Sequence, residues 1–240
     1  MSEMRSRPQL PLGEAVDWLA AQAPAPLTLS GRYALLRPVD PTRDARPLYA
    51  VSHPPDGDPE IWTYLHTGPY ASVEDFREML VTAQGEQDAL YFTIASTSDE
   101  RPAGLAAYLR ITPQSGAIEL GNIWFGPSLR RTSAATEAIY LLARHAFEEL
   151  GYRRVEWKCN SLNAASRRAA ERLGFSFEGV FRKHQVVKGR NRDTAWYAIT
   201  DDDWPVIASA LRAWLAPSNF DADGRQRRSL VELRDDADAA

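Results

Sequence analysis

The chain has 240 residues, of which 44% are hydrophobic, and a formal net charge of −4. This size and apolar content are typical of one domain with a sizeable core and short extensions. The negative charge provides no field for non-specific binding to nucleic acid, so we expect no nucleic-acid partner. A single cysteine, Cys159, excludes a disulfide framework or a cysteine-rich metal site within one chain.

No segment of the sequence is typical of a signal peptide or a membrane span. Prolines and charges interrupt the first 26 residues, and no window approaches the roughly 18 apolar residues that a spanning helix needs. The four histidines are scattered, without the spacing of metal ligands. We therefore expect a cytoplasmic protein that has no membrane attachment and no metal.

The N-terminal part predicts an extension followed by a strand and a helix. Residues 12–22 form one helical segment between prolines, within an extension that covers residues 1–26. Residues 27–38 then predict a strand, and Asp40 and Pro41 begin a helix.

A long connection, residues 52–70, is rich in proline, glycine, aspartate and aromatic residues. Connections of this length in a compact domain are usually functional or disordered, and Trp62 and Tyr64 argue against disorder. Ser72 then caps a helix that ends at about Gln84.

The middle of the chain predicts three strands and a helix. Residues 90–95, 103–112 and 117–125 are strands joined by short turns, so we expect them to be antiparallel. Apolar residues then recur at helical spacing up to Gly151. Residues 155–159 alternate as a strand which, because it follows a helix, can pair in parallel with the preceding strand.

The C-terminal part predicts a helix, a hairpin, a second helix and a tail. Asn163 caps a helix ending near Leu173, and residues 175–187 and 192–200 read as two strands around a turn. Asp201 to Asp203 cap a helix that ends by residue 216, and residues 217–240 form a polar tail in which only SLVEL is apolar enough to dock. Basic residues of the hairpin predict a solvated surface, the alternative being contact with an acidic partner: Arg182, Lys183, Lys188, Arg190 and Arg192.

Residues 118–138 run from an apolar strand through an arginine-rich turn into an amphipathic helix. This layout offers backbone N–H groups and a helix N-terminus to an anion, which indicates a phosphate-bearing ligand. The alternative is an ordinary helix start with exposed arginines.

A series of motifs extends from that turn towards the C-terminus. The turn reads RRTSAA from Arg130 to Ala135, then TEA; downstream come NAAS from Asn163, LGF from Leu173, EG at 178–179, Arg182, Gly189 and Asp193. In this order they resemble the GNAT-type N-acetyltransferase superfamily, and more closely its RimJ/RimL-like branch, over residues 27–200. The departure is Ser133, where the family usually has glycine to let the backbone approach a pyrophosphate.

The resemblance implies an α/β (α+β) fold with a mixed, mostly antiparallel sheet of about seven strands and helices on both faces. It implies an acetyl-CoA-dependent transfer of an acetyl group to a primary amine, on a protein N-terminus or a small molecule, by direct attack. Ser166 would protonate the leaving thiolate, since the position seven residues after Asn163, where many members have tyrosine, is Ala170. The implied CoA-binding residues are Ile123, Trp124, Phe125, Arg130, Arg131, Thr132, Ser133, Ala134, Ala135, Thr136 and Asn163. For the basic residues of the hairpin, contact with the CoA 3′-phosphate is then a further alternative.

Glu119 lies on the strand that leads into the turn, where relatives place a carboxylate near the acceptor amine. A base there is useful because only a neutral amine is nucleophilic; the alternative is that Glu119 faces solvent or pairs with an arginine. Trp62 and Tyr64, with His66, lie in the connection that borders the acceptor site in this fold, although aromatic packing alone also explains them. The acids Asp56, Asp58 and Glu60 favour a cationic acceptor.

Two alternatives to this hypothesis remain at this point. Cys159 suggests a covalent acyl-enzyme, but its place inside a strand favours a small buried residue. A non-catalytic acyl-CoA-binding or protein-interaction module is the rival function, motivated by Ser133. Edge strands and residues 230–233 that need cover favour a homodimer.

Overall fold

One eight-stranded sheet forms the centre of the computed structural model, which describes residues 10–238. The strands are β1 (Leu29–Ser30), β2 (Ala34–Pro38), β3 (Leu90–Ser96), β4 (Pro102–Thr112), β5 (Ala117–Phe125), β6 (Arg154–Asn160), β7 (Ser176–Val187) and β8 (Arg190–Thr200). Their order is β1-β2-β3-β4-β5-β6-β8-β7, and only the β5–β6 pair is parallel. The mixed, mostly antiparallel sheet is confirmed. The eighth strand arises because residues 27–38 form two strands around a turn instead of one.

Six α-helices flank the sheet in the described part of the chain. They are α1 (Pro41–Ser52), α2 (Val73–Gln84), α3 (Ser133–Arg144), α4 (Ala164–Arg172), α5 (Trp204–Leu215) and α6 (Leu230–Asp238). The side chains of Asp40, Ser72, Thr132 and Asn163 accept backbone N–H bonds at the starts of α1 to α4. Capping therefore locates these helix starts, as the sequence indicated for three of them.

Side chains of β4 alternate between two hydrophobic clusters. Ala106 and Tyr108 belong to a cluster that includes residues of α3 and α5. Leu105 and Ala107 belong to a second cluster, with residues of α1 and α2. Because successive residues of a strand face opposite sides, the sheet is covered on both faces, as predicted.

The helix predicted over residues 12–22 is wrong, since residues 10–25 contain no helix. The backbone N–H groups of Ala21 and Gln22 instead donate to the carbonyl oxygens of Pro113, at 3.1 Å, and Leu150, at 2.8 Å. Contacts with distant parts of the domain thus replace the hydrogen bonds of a helix whose length is already limited by prolines.

The ends of α3 and α5 also differ from the prediction. α3 ends at Arg144 and continues as a π-helical turn, His145–Glu149, in which the N–H of Leu150 donates to the carbonyl oxygen of His145. Asp203 does not cap α5 through its side chain, because Oδ2 accepts the hydroxyl of Thr200 at 2.7 Å.

No helix among residues 10–238 combines the length and the apolar character that crossing a membrane requires.

The tail, predicted to be polar with only SLVEL apolar enough to dock, contains α6. Leu230 at its start is 3% exposed and joins the cluster of α5. Ser229 caps the helix, since its hydroxyl oxygen accepts the N–H of Glu232 at 3.2 Å. The apolar SLVEL segment therefore docks on the domain as a helix.

Glu137, a buried residue of α3, fastens this helix to the turn between β1 and β2. Its Oε1 accepts the N–H of Arg32 at 3.0 Å, and its Oε2 accepts the N–H groups of Tyr33 at 2.5 Å and Ala34 at 2.7 Å. One carboxylate thus satisfies three backbone donors and fixes α3 relative to the sheet.

We expect Glu137→Gln to lower the free energy of unfolding by roughly 2–3 kcal/mol, because a glutamine offers one acceptor oxygen and turns an N–H donor towards the other donors. Urea denaturation measures this change. The matched control is Glu149→Gln, which loses one exposed contact with Arg144 at 3.4 Å and should change stability by less than about 0.5 kcal/mol. Equal losses in both variants would contradict the role of Glu137.

Candidate active site

The parallel strands β5 and β6 separate after four paired residues. Pairing runs from Ala117 opposite Arg154 to Leu120 opposite Trp157, and both strands then continue unpaired with each other. At this point β5 has one residue more than β4, and Asn122 in the bulge has φ of 49°. A bulge bends its strand, so β5 turns away from β6 and a cleft opens between them.

The cleft has a volume of about 730 Å³ and brings together seven of the fifteen predicted site residues. Glu119 and Ile123 of β5 lie on one wall, and Asn163 and Ser166 of α4 on the other. The lining also includes Trp62, Tyr64, His66, Trp124, Lys158, Cys159, Gln185 and Arg192. Phe125, the last residue of β5, and the predicted 130–136 segment that follows the strand are not part of this lining.

The turn after β5 leads into α3 and presents free backbone donors. The N–H groups of Thr132, Ala135 and Thr136 bind acceptors within the turn and the cap. Within residues 10–238 no acceptor is recorded for the N–H groups of Arg131, Ser133 and Ala134. Three donors at a helix N-terminus therefore remain for an anion, rather than the six that the sequence suggested.

Ser133 occupies the first position of α3, after Thr132 as N-cap. The residue of this turn with positive φ is Arg131, at 61°. Glycine at position 133 is thus not required by the backbone conformation, and serine keeps the N–H group that an anion needs.

Arg130 is held against the 52–70 connection instead of standing free. Its guanidinium pairs with the carboxylate of Asp58, and Nε donates to the carbonyl oxygen of Phe125 at 2.9 Å. The hydrogen bond from Arg130 lowers the pKa of Asp58. This ion pair joins the turn before α3 to the 52–70 connection.

Glu119 is buried and bound by two cations. Its Oε2 contacts the guanidinium of Arg110 and Nζ of Lys158, the latter at 2.9 Å. Arg110 reaches it from a second bulge, where β4 has an extra residue and φ of Arg110 is 48°. The alternative reading, that Glu119 pairs with an arginine, therefore holds, although it faces the cleft and not open solvent. Oε1 accepts no hydrogen bond from the described residues.

Asn163 and Ser166 stand at the start of α4 beside β6. Oδ1 of Asn163 accepts the N–H of Ser166 at 3.0 Å, and Oγ of Ser166 accepts Nε1–H of Trp157 at 2.9 Å. Because Trp157 occupies a lone pair of the hydroxyl oxygen, the hydroxyl proton of Ser166 is available to another acceptor. Burial raises the pKa of the Cys159 thiol, which disfavours a nucleophilic thiolate there.

Residues of the 52–70 connection are tied to the core and to the β7–β8 hairpin. Trp62 is 2% exposed, and its Nε1–H donates to the carbonyl oxygen of Ser52 at 2.9 Å, so most of this side chain is core. The partly exposed Tyr64 is the better placed of the two predicted acceptor contacts. Nζ of Lys188 donates to the carbonyl oxygen of Trp62 at 2.6 Å. The prediction of a solvated basic hairpin is wrong for Arg192, which is 6% exposed, whereas Lys188 is exposed.

Comparison with known proteins decides the family. The acetyltransferase (GNAT) domain matches residues 34–176, within the predicted 27–200 unit. The chain belongs to the GNAT acetyltransferase family. A GCN5-related N-acetyltransferase from Brucella melitensis is 43% identical, with a TM-score of 0.88, over 91% of this chain and 99% of its own.

Two further relatives show how widely this GNAT fold is shared. "Probable N-acetyltransferase YjcK" of Bacillus subtilis strain 168 is 29% identical over 180 residues, which are 73% of this chain and 98% of that protein. RimJ of Mycobacterium smegmatis, in complex with CoA-disulfide, is 22% identical with a TM-score of 0.63, over 75% of this chain and 90% of its own, and at this identity it shows a common fold.

The GNAT fold uses acetyl-CoA. We expect Ser133→Pro to weaken CoA binding about tenfold or more, because it removes one N–H group that donates to a charged phosphate. Proline is tolerated at the first position of a helix, and Thr132, with φ −107° and ψ 165°, has the backbone conformation that a residue before proline prefers. Isothermal titration calorimetry with CoA measures the effect. Ser133→Ala, which keeps the N–H group, is the control, and equal affinities of the two variants would refute the anion site.

Proposed function

We propose that this GNAT protein transfers an acetyl group from acetyl-CoA to a primary amine by direct attack of the amine on the thioester. The observation that carries the proposal is that the cleft between β5 and β6 opens where β5 leads on into the turn with three free N–H groups at the start of α3. One extended ligand with a phosphate end and a reactive end fits such a site.

CoA fits the residues present. The N–H groups of Arg131, Ser133 and Ala134 would hold the pyrophosphate, with the exposed Arg131 side chain adding charge. Beyond Leu120, β5 has no partner on its β6 side, so backbone groups of Ile123 to Phe125 are available to the amide groups of the pantetheine arm. Asn163 lies on the opposite wall, where we place its contact with the same arm.

The cleft supplies groups for both proton transfers. We assign Glu119 to the acceptor side, where Oε1, not bound by Arg110 or Lys158, takes the proton of the attacking amine directly or through water. Ser166 donates its hydroxyl proton to the departing sulfur and regains one from solvent. Backbone N–H groups of the unpaired part of β5 polarise the thioester carbonyl.

The proposed acceptor is a primary amine, on a peptide N-terminus or a small molecule. Membership of the RimJ/RimL-like branch, a reducing cytoplasmic location and a homodimer belong to the same proposal. The common fold with RimJ and the single buried cysteine support the first two. The rival function is a non-catalytic acyl-CoA-binding or protein-interaction module on the same fold, which predicts CoA binding without turnover.

We expect acetyl-CoA-dependent thiol release with at least one member of a panel of amines and N-terminal peptides. Glu119→Gln should lower kcat/KM by roughly 10²-fold or more, and Ser166→Ala by about tenfold or more, because each removes a proton-transfer group. Thermal unfolding checks that both variants are folded.

Glu78→Gln on α2 and Ser176→Ala at the start of β7, both exposed residues, are the matched controls. Unchanged rates in Glu119→Gln and Ser166→Ala would refute the residue roles. CoA binding without turnover of any amine would favour the rival function.

A further inference from the structure

Arg192 is a buried cation whose hydrogen-bond partners are all neutral. The residue is 6% exposed and lines the cleft from β8, opposite Gln185 of β7. Its Nε donates to Oγ1 of Thr194 at 3.2 Å, and Nη1 contacts Nε2 of His66 at 3.2 Å. Nη2 has no hydrogen-bond acceptor within residues 10–238, and burial lowers the pKa of the guanidinium.

The carboxylates around the cleft floor are already bound by other cations. Glu119 binds Arg110 and Lys158, and Lys158 continues to Glu156 at 2.6 Å. Arg154 then binds Glu156 at 2.8 Å and Glu178 at 2.5 Å. Cations and carboxylates thus alternate in equal number along this chain of ion pairs. Arg192 stands outside it, with no carboxylate within 4.0 Å in the described part of the protein.

His66 does not compensate the charge of Arg192. Packing around its ring and the nearby Arg192 lower its pKa, which keeps the imidazole neutral near pH 7. Nε2 of this ring lies 2.9 Å from Oε1 of Gln185 and 3.2 Å from Nη1 of Arg192, and Nδ1 lies 3.5 Å from the same Nη1, so the ring offers Arg192 no negative charge. A buried guanidinium without an anion is costly unless a ligand supplies one.

We propose that Arg192 binds a carboxylate of the acceptor, so that the acceptor carries an amine and a carboxylate together. This inference rests on the proposed function, and it narrows the acceptor class to free amino acids or peptides with an acidic residue near the N-terminus. The planar guanidinium suits a carboxylate, which Nη2 reaches within the cleft.

The charge distribution of the cleft fits a zwitterion better than a simple cation. Glu86 and Asp88 line it near the start of β3, and neither carboxylate has an ion pair within the described residues. These carboxylates attract the ammonium group of an acceptor, while Arg192 binds its carboxylate at the opposite wall. The acidic connection alone predicts a cationic acceptor, and the buried Arg192 adds a carboxylate to that prediction.

Matched acceptor pairs that differ in one carboxylate test the proposal. One arm compares free amino acids with their carboxamides, and the other compares peptides with Asp or Glu against Asn or Gln at the first two positions. We expect the acid of a pair to have kcat/KM roughly 30-fold or more above that of its amide, because the amide leaves the buried charge of Arg192 unpaired. The arm in which this preference appears identifies the source of the carboxylate.

Variants of Arg192 then connect the preference to this residue. Arg192→Gln should lower kcat/KM of the acid to about that of its amide, and Arg192→Lys should retain part of the preference. Arg190→Gln, at an exposed position of the same strand, should behave as the unaltered protein. Equal use of acids and amides by the unaltered protein, or equal loss of both in Arg192→Gln, overturns the proposal.

A binding measurement separates this proposal from the proposed function. Thermal unfolding of the CoA-saturated protein is followed with each acid and each amide present. Carboxylate binding is supported if an acid stabilises the protein, its amide does not, and the stabilisation disappears in Arg192→Gln. This result stands even where no acceptor is turned over. Lack of turnover counts only against the proposed acetyl transfer. If no acid of either arm stabilises the protein or is preferred in turnover, Arg192 has a structural role and the proposal is wrong.

Discussion

The site depends on the short parallel pairing between β5 and β6. The two strands pair in parallel for four residues, and the bulge at Asn122 then directs β5 away from its neighbour. Because backbone groups that lose a strand partner need another one, the gap is a place where an extended ligand completes the sheet. The same strand leads into the turn that ends at Thr132, where Arg131, Ser133 and Ala134 have free N–H groups. A single extra residue in one strand thus links the fold to its ligand.

Electrostatics divide the cleft into regions with different tasks. The start of α3 offers neutral N–H donors and a helix dipole, which bind an anion without requiring a buried charge. The floor is a series of ion pairs in which Glu119 is held at a fixed position by Arg110 and Lys158. The far wall carries Arg192, whose charge is not balanced within the described residues. Two ligands, one carrying phosphate groups and the other carrying an amine and a carboxylate, would together complement all three regions.

Local signals in the sequence predicted most of the fold. Capping side chains such as Ser72 and Asn163 located helix starts because they bind N–H groups only three residues away. The helix expected over residues 12–22 failed because Ala21 and Gln22 bind carbonyl groups far along the chain, which no local pattern reports. Arg192 was placed on a solvated hairpin for a similar reason. Its burial results from the 52–70 connection, which brings His66 against β8, a contact between residues 126 positions apart. The ion pair of Glu119 with Arg110 likewise depends on a bulge whose position the sequence does not reveal.

A crystal structure of the protein with CoA tests the central claim most directly. We expect the pyrophosphate oxygens to lie within hydrogen-bonding distance of the N–H groups of Arg131, Ser133 and Ala134, and the pantetheine arm to run between β5 and β6 with its thiol near Ser166. A pyrophosphate bound elsewhere, with no part of the ligand between these two strands, would contradict the account.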